Sequence, residues 1–583
     1  MASQNRPPTP AALGWALGAL VVTAVLAFDP GGWTPFTPAK WWLVSAIGFG
    51  LAAALALTGR VAVEPRSGLI WLGLLGWMAV AAAFGVDPVY AWTGTPERHL
   101  GFATWVLFAL LFLAGQQLRT LRAATPVLGG CVVAAAGITM YALLELLGAE
   151  PVDLAASDDR LTGLFGSAAI LGAAGVLLLP VAAGSAFERT WPAWVRVVAA
   201  GAAAGTLVAV GGSQTRGAWI GLGAATVAAS WAARRWLADH RRAAAWLGVA
   251  ALVVVAAAVV ATPVGDRLSD AVDGGARSRT DEWRIGLRAV GQHPVIGAGP
   301  EGYRIGFADA VDADYERAHG REVLPDRAHN GVLDVALAGG VPAAVLYIGL
   351  LVSLAPAVLR ALRGAPWQAG LACGLIGYVV QQQFLFPLSE VDPVFWILAG
   401  IVVGSTALVS ETRVVRGTKP AGVVLGAVAG LAFVAGVADV VADRAADAAL
   451  GGRGEPERAA DLRPDVIRYR MVAARLLPTA EALAEIDAAL DISPRDPIVR
   501  EERARLLTQL SSETGDDADV AAALDAWQSL VADDPNNARY HLNLGAVQQR
   551  TGDLDAAVAS WQTAADLAPD DPRPAALLDE FPP

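Results

Sequence analysis

Apolar runs of about twenty residues recur along the first three quarters of the chain, separated by short polar stretches. A helix needs roughly 20 mostly apolar residues to cross the hydrocarbon core of a bilayer. The pattern therefore predicts an all-α protein, a polytopic membrane helix bundle of about thirteen spans. The predicted spans start near Ala11, Trp41, Leu69, Gly101, Thr125, Ser167, Val195, Gly217, Ala243, Gly340, Gln368, Asp392 and Ala421.

Two long polar regions interrupt this pattern. Residues 263–338 separate the ninth predicted span from the tenth, and a polar loop of that length between helices usually has a function. The last region has helical periodicity and is rich in alanine, aspartate and arginine. We therefore expect a transmembrane domain over residues 1–441, which includes the long loop, and a separate helical domain over residues 442–583.

The last region carries a repeated pattern. In its clearest copy, packing residues fall where a tetratricopeptide repeat needs them: Leu544, Gly545, Ala557, Trp561, Ala564 and Pro569. A second copy stands about 34 residues earlier, at the period of that repeat, and a weaker third precedes it: Ala523, Trp527 and Pro535, then Ala482, Ile486, Ala489 and Pro494. Stacked repeats predict an α-solenoid (TPR-like) domain, which either docks a protein partner or acceptor or serves only as a spacer.

Arginine and lysine are unevenly distributed between the loops. If the N-terminus lies inside, the outer short loops carry only Lys40, Arg98, Arg160 and Arg216, and the inner segments carry most of the others. Cytoplasmic loops of membrane proteins are enriched in these residues. We therefore expect a multi-pass membrane protein with the long loop and the C-terminal domain on the extracytoplasmic side. The alanine-rich composition, with more arginine than lysine, suggests a bacterium and hence its plasma (inner) membrane.

Composition narrows the possible functions. Of all residues, 55% are hydrophobic and 17% charged, and the net charge of −12 comes mostly from the tail. An acidic soluble region argues against a nucleic acid partner. Cys131 and Cys373 both fall inside apolar spans, where we expect them to pack as small apolar residues.

The candidate chemistry lies at the predicted outer ends of spans. Arg160, Arg216 and Arg279 are each next to a span or in the long loop, and the loop ends at His329 and Asn330. An ionisable side chain near hydrocarbon is costly, so it usually has a partner or a function.

Glycines accompany these side chains. Gly217 follows Arg216, and we expect it to let a ligand approach the backbone closely. Gly297, Gly299 and Gly302 in HPVIGAGPEGY predict a tight backbone turn near a ligand. His293 in the same segment is expected to shape the turn. The acidic cluster in FADAVDADYERAHG is expected to be a solvated face of the loop.

Four short motifs, in this order, resemble the O-antigen ligase and O-antigen polymerase superfamily of membrane glycosyltransferases, over about residues 155–400. The superfamily has ten or more spans and a long extracytoplasmic loop late in the chain, and some members have tetratricopeptide tails. The motifs are Arg160 with Gly163 and Gly166, Ser213 with Arg216 and Gly217, Arg279 and Trp283 with Pro294, Gly297 and Gly299, and His329 with Asn330.

The resemblance implies transfer of a glycan from a polyprenyl (undecaprenyl) diphosphate carrier in the membrane to an acceptor hydroxyl of a glycan, lipid or protein. It implies no metal and no cofactor. Guanidinium groups bind phosphate oxygens bidentately, so Arg160, Arg216 and Arg279 are the expected donor-binding residues, with Asn330 beside them. His329 is the expected general base, and Arg216 and Arg279 the expected clamp on the leaving diphosphate.

Alternatives remain open at this point. A polymerase of the same superfamily would use another lipid-linked repeat unit as acceptor. A lipid or glycan transporter would use the arginines only to bind head groups, although the sequence has no evident inverted repeat. Arg216 could be an ordinary loop arginine that reaches lipid phosphates, and His329 a packing residue at a helix start.

Overall fold

The computed structural model describes residues 10–149, 160–234, 279–321, 324–408 and 412–581. This part of the chain is almost entirely helical, which confirms the all-α prediction. Its two strands, β1 (Val61–Val63) and β2 (Arg413–Val415), are short and pair antiparallel.

Helices lie at the predicted span positions, apart from the span near Ala243, which falls outside the described residues. Seven of these helices are long and apolar enough to cross a membrane, and the other helices at predicted span positions are shorter. The membrane class is thereby confirmed, and the number thirteen stays a prediction. These helices are α1 (Pro10–Leu26), α2 (Pro38–Thr58), α3 (Pro65–Phe84), α5 (Phe102–Gly115), α6 (Leu121–Leu146), α7 (Ala168–Ala186), α8 (Ala193–Gly212), α9 (Arg216–Ala232), α13 (Gly331–Ala361), α14 (Pro366–Gln381), α15 (Asp392–Thr406) and α16 (Lys419–Leu450).

Small residues let neighbouring helices of this bundle approach backbone to backbone. A Cβ at Gly115 of α5 would stand 2.3 Å from the Ile397 carbonyl of α15, and one at Gly370 of α14 would stand 2.6 Å from the Pro180 carbonyl of α7. Close approach through small residues is typical of helix pairs in membranes. Cys131 and Cys373 are buried in α6 and α14, where they pack as expected.

Helix α13 is broken at Gly339 and Gly340, where the backbone leaves helical geometry. Backbone groups freed by the break find partners in the glycine turn of the long loop: Ala298 N donates to Leu337 O at 2.7 Å, and Val341 N to Pro294 O at 2.9 Å. The break separates a short half-helix, residues 331–338, from the longer apolar part of α13, so the tenth span starts about where the sequence predicts.

The glycine turn is tight, as predicted, but its close neighbour is protein backbone. Gly297 and Gly299 have φ of 72° and 90°. A Cβ at Gly297 would stand 2.4 Å from Leu337 O, and one at Gly299 would stand 2.7 Å from the Cα of Gly85. These glycines therefore let the long loop pack closely on α13 and on the end of α3, and a ligand near the turn stays a prediction.

The described part of the long loop folds into three helices, and the tail into eight. The loop helices are α10 (Arg279–Gln292), α11 (Tyr303–Ala310) and α12 (Ala313–His319), and α4 (Tyr90–Thr93) lies in the connection from α3 to α5. The tail helices are α17 (Arg458–Leu462), α18 (Ile467–Leu476), α19 (Thr479–Ile492), α20 (Pro497–Thr514), α21 (Asp517–Asp533), α22 (Ala538–Arg550), α23 (Leu554–Leu567) and α24 (Pro572–Glu580).

Each tail helix packs on its neighbours in the sequence, as expected for stacked helix pairs. Repeat residues such as Ala523, Trp527 and Trp561 are buried between helices. A Cβ at Gly545 would stand 2.4 Å from the Trp561 ring, which explains the glycine. Helix α16 continues to Leu450, so the domain boundary expected at 442 falls inside this helix.

The tail lies directly against the long loop. Arg321 lies at the end of the loop helices and is buried. It pairs with Glu316 of the loop and with Asp534 of the tail. Two further ion pairs join loop and tail: Arg304 with Asp496 at 3.3 Å and Arg495 with Asp309 at 2.8 Å. The acidic cluster is therefore partly a docking surface for the tail, in contrast to the solvated face expected from the sequence.

Replacing Arg321 by Met should loosen the loop from the tail. The change leaves two buried carboxylates without their shared cation, and breaking a buried pair in this way costs about 3–5 kcal/mol. We expect faster hydrogen exchange at the backbone amides of α12 and α22, measured by mass spectrometry on the full chain. Arg505→Met removes an exposed pair with Glu502 and should cost about 0–1 kcal/mol. Unchanged exchange in Arg321→Met would contradict the docking.

Candidate active site

Arg160 holds the turn that precedes Arg216. Its Nε donates to Ser213 O at 3.0 Å, and its Nη2 donates to Thr215 Oγ1 at 3.2 Å. Leu161 N donates to Gly212 O at 3.0 Å and ties the same two segments together. Arg160 thereby fixes the start of α9, of which Arg216 is the first residue.

Two helix starts meet on one 3-10 turn, residues Gln382–Phe384. A Cβ at Gly217, next to Arg216, would stand 2.8 Å from Phe384 Cβ. A Cβ at Gly331, next to Asn330, would stand 3.1 Å from Gln382 O. Shared packing on this turn brings Arg216 near the end of the long loop. Phe384 thus fills the space in which a side chain at position 217 would lie, and close approach of a ligand to this backbone stays a prediction.

Trp283 places Arg279 in the same region. Its Nε1 donates to the carbonyl of Ala328, directly before His329, at 3.0 Å. Residues four apart on a helix share a face, so Arg279 lies on the side of α10 that faces this segment. Desolvation lowers the pKa of Arg279; the carboxylate of Glu282 opposes this, and the nearby guanidinium of Arg216 adds to it. The charge of Arg216 therefore acts on Arg279.

His329 lies beside this pair of arginines. Its side chain is 26% exposed, and its Nδ1 is 3.8 Å from Oε2 of Glu282. The ring packs edge-on against Phe386, with centroids 5.5 Å apart. Desolvation and the positive charge of Arg279 lower the pKa of His329 to about 4, against an opposing effect of Asp326. The imidazole is therefore neutral at pH 7, the state that a general base requires.

Asn330 caps the short half-helix that begins α13. Its Oδ1 accepts from Leu333 N at 3.0 Å, and its Nδ2 donates to Gln383 O at 3.3 Å. An asparagine at this position satisfies a backbone N–H that has no partner within the helix. Asn330 therefore orients the backbone next to His329, and a contact between its side chain and substrate stays a prediction.

Arg98 and Asp326, which belong to none of the four sequence motifs, form a charged pair next to His329. Arg98 Nε donates to Asp326 Oδ2 at 2.6 Å, and the guanidinium lies over the Phe386 ring at 4.9 Å. Both charges act on the pKa of His329, Asp326 raising it and Arg98 lowering it. The sequence indicates this pair only weakly, because Arg98 is one of the few arginines in the predicted outer loops and Asp326 lies three residues before His329.

Beneath this pair, Arg327 anchors the segment that carries His329. It is buried and pairs with Glu301 and with Asp334, the latter at 3.3 Å. Glu301 also accepts from Thr95 Oγ1 at 3.2 Å. The connection from α3 to α5, the long loop and α13 are thus joined through one buried polar network, which holds residues 326–329 in place.

Backbone strain is concentrated around the same place. In the described ranges, the non-glycine residues with positive φ are His99, Gln214, Glu301 and His329, the last with φ of 48°. His99 follows Arg98, Gln214 precedes Arg216 by two residues, and His329 follows Arg327 by two. Glu301 is itself part of the buried network. A left-handed conformation outside glycine costs on the order of 1–3 kcal/mol and persists where surrounding contacts enforce it, commonly at functional sites.

Neutralising Arg279 should raise the pKa of His329. In Arg279→Gln the nearby positive charge is gone, so the imidazolium is disfavoured less and its pKa moves from about 4 towards the ordinary value. NMR titration of labelled histidine in the full chain, assigned with a His329 variant, measures this shift. Arg284→Gln is the control, since Arg284 is on the same helix but pairs with Asp312. An unchanged or lower pKa in Arg279→Gln would contradict the geometry.

Residues 200–348 match the family described as O-antigen ligase. The matched range contains Arg216, Arg279, His329 and Asn330, whereas Arg160 precedes it. No curated protein matches the chain. Together with the apolar helices, the family match supports a membrane glycosyltransferase of the O-antigen ligase superfamily.

Proposed function

We propose that the chain transfers a glycan from a polyprenyl diphosphate carrier, such as undecaprenyl diphosphate, to an acceptor hydroxyl, as an O-antigen ligase-type enzyme of the cell envelope. The observation that carries this proposal is the packing of Gly217 beside Arg216, of Trp283 on the helix of Arg279, and of His329 around one end of the long loop, where burial keeps the imidazole neutral. It joins an anion-binding pair to a candidate base, the two functions that this transfer requires.

Arg216 and Arg279 bind the diphosphate of the donor. Two guanidinium groups that repel each other gain most from an anion placed between them, and each can make bidentate hydrogen bonds to phosphate oxygens. As the bond between the sugar and the phosphate breaks, negative charge grows on the leaving diphosphate, and the clamp stabilises it. Arg160 acts on this clamp by holding the Ser213–Thr215 turn.

His329 accepts the proton of the acceptor. The acceptor oxygen forms a bond to the anomeric carbon, the electron pair of the broken bond leaves with the diphosphate, and the hydroxyl proton moves to the imidazole. A pKa of about 4 makes His329 a weak base. The charge of a bound diphosphate raises this pKa, so donor binding activates the base, and release of the carrier favours loss of the proton. These residues need no metal or cofactor for the step.

The reaction takes place on the extracytoplasmic side of the inner membrane. The distribution of arginine and lysine in the loops supports this orientation. The ion pair between Arg321 and Asp534 supports placing the long loop and the tail on one side of the membrane. The tail is a tetratricopeptide-like domain that holds the loop and faces the acceptor or a protein partner.

A polymerase would share the donor half of this site and differ in its acceptor. A transporter would need the arginines for head-group binding but no base at an acceptor hydroxyl. The position of His329 next to Arg279 therefore favours transfer over transport.

Replacing Arg216 or Arg279 by Lys should reduce glycan transfer by about 10²-fold or more, the effect of losing one preorganised donor in a charge-stabilising site. Lysine keeps the charge but loses the bidentate geometry. The measurement is transfer from purified polyprenyl diphosphate-linked glycan, with donor binding measured in parallel and rates normalised to folded protein in the membrane.

The matched control is Arg284→Lys, because Arg284 is an exposed arginine on the same helix as Arg279. It should transfer at nearly the normal rate. Nearly normal transfer by both Arg216→Lys and Arg279→Lys would count against diphosphate binding by this pair.

A further inference from the structure

The turn that follows Arg160, residues 161–166, depends on contacts from outside it. Gly163 and Gly166 in this turn are in the left-handed region, with φ of 59° and 60°. Because glycine adopts many backbone conformations, neighbouring side chains must select this one. Hydrogen bonds from residues 160 and 161 to the segment before α9 then carry any shift of the turn to the start of that helix.

Glu145, in the last turn of α6, holds the first half of the 161–166 turn. Its Oε1 accepts hydrogen bonds from Thr162 N at 3.1 Å, from Thr162 Oγ1 at 3.0 Å and from Gly163 N at 3.0 Å. Hydrogen bonds to an ionised carboxylate are stronger than those between neutral groups. One side chain thus fixes the direction of two successive backbone N–H groups.

Lys40, in the first turn of α2, holds the second half of the 161–166 turn. Its Nζ donates a hydrogen bond to the carbonyl of Leu164. The same atom lies 4.4 Å from the centroid of the Phe165 ring, in the arrangement of a cation–π contact. Lys40 is completely buried, so it can act on a substrate only through the residues that it contacts.

Lys40 also interacts with the segment that follows Gln382–Phe384, the turn on which the start of α9 packs. The charge of Glu390, a buried residue of this segment, acts on Lys40. An ionisable side chain buried at the end of a span is costly and usually has a function. Lys40 therefore interacts with both parts of the chain that place the start of α9.

We infer that Glu145 and Lys40 are positioning residues of the donor site: they fix the 161–166 turn, and through Arg160 they place Arg216. Both act through the turn and not by touching the donor. The inference rests on the proposed function for the identity of the donor, whereas the structural link between the turn and α9 does not depend on it. Loss of either side chain therefore weakens donor binding and leaves acceptor binding unchanged.

The test uses three variants and two controls. Glu145→Leu removes the acceptor of two backbone N–H groups, and Glu145→Gln keeps a carbonyl oxygen at the same place. Lys40→Met removes the donor to Leu164 and keeps an unbranched chain. The controls Lys419→Met and Glu455→Leu make the same changes at exposed positions, at the start of α16 and in the tail.

Two measurements are made on the full chain in nanodiscs. The first is the affinity for purified polyprenyl diphosphate-linked glycan, together with the KM values for donor and acceptor. The second is hydrogen exchange at the amides of Ala218 and Trp219, which donate to the carbonyl of Thr215 at the start of α9. A general loss of fold would speed exchange in every helix and change both KM values.

Glu145→Leu and Lys40→Met should bind the donor about tenfold or more weakly, because a displacement of roughly 1 Å in a positioned group can cost on the order of 10²-fold. Their donor KM should rise while the acceptor KM stays the same, and exchange should be faster at Ala218 and Trp219. Glu145→Gln should restore most of the affinity, and both controls should behave like wild type.

The inference is overturned if folded Glu145→Leu binds the donor like wild type, or if exchange at the start of α9 is unchanged. It is also overturned if the loss of binding only follows the loss of folded protein. If Lys40→Met does not fold, the two Glu145 variants decide. Faster local exchange that Glu145→Gln reverses, without any donor binding by wild type, supports the structural link and contradicts the proposed function.

Discussion

The packing that brings Arg216, Arg279 and His329 together at the end of the long loop is the constraint on which the site depends. Two like charges near a membrane surface separate unless packing holds them together. Here Gly217 packs on Phe384, and Trp283 donates a hydrogen bond to Ala328. Burial and the charge of Arg279 keep His329 neutral, and in the proposed function the diphosphate that the arginines bind opposes this effect of Arg279.

The rest of the fold supplies rigidity for this arrangement. The broken helix α13 and the glycine turn fasten the long loop to the bundle through backbone hydrogen bonds. Arg327 anchors the residues before His329, and Arg321 joins the loop helices to the tail. A charged site at the end of an apolar bundle is thus supported from the membrane side and from the tail side.

The sequence was informative where the signal is local. Apolar periodicity located the helices, and the four motifs named residues that lie together in the fold. The pairing of Arg98 with Asp326 joins residues 228 apart, and that of Arg321 with Asp534 joins residues 213 apart. No periodicity encodes such pairs, because they depend on how distant segments meet. For the same reason the sequence could not show that added side chains at Gly217, Gly297 and Gly299 would meet protein atoms.

The central claim is that His329 is a base activated by the donor that its neighbouring arginines bind. The most direct test is glycan transfer by His329→Asn, because asparagine tolerates the left-handed backbone at this position and cannot accept the proton as imidazole does. The account predicts unchanged binding of the polyprenyl diphosphate-linked donor and transfer slowed by about 10²- to 10⁴-fold, the usual contribution of a positioned base. Transfer at the wild-type rate by folded His329→Asn would contradict it.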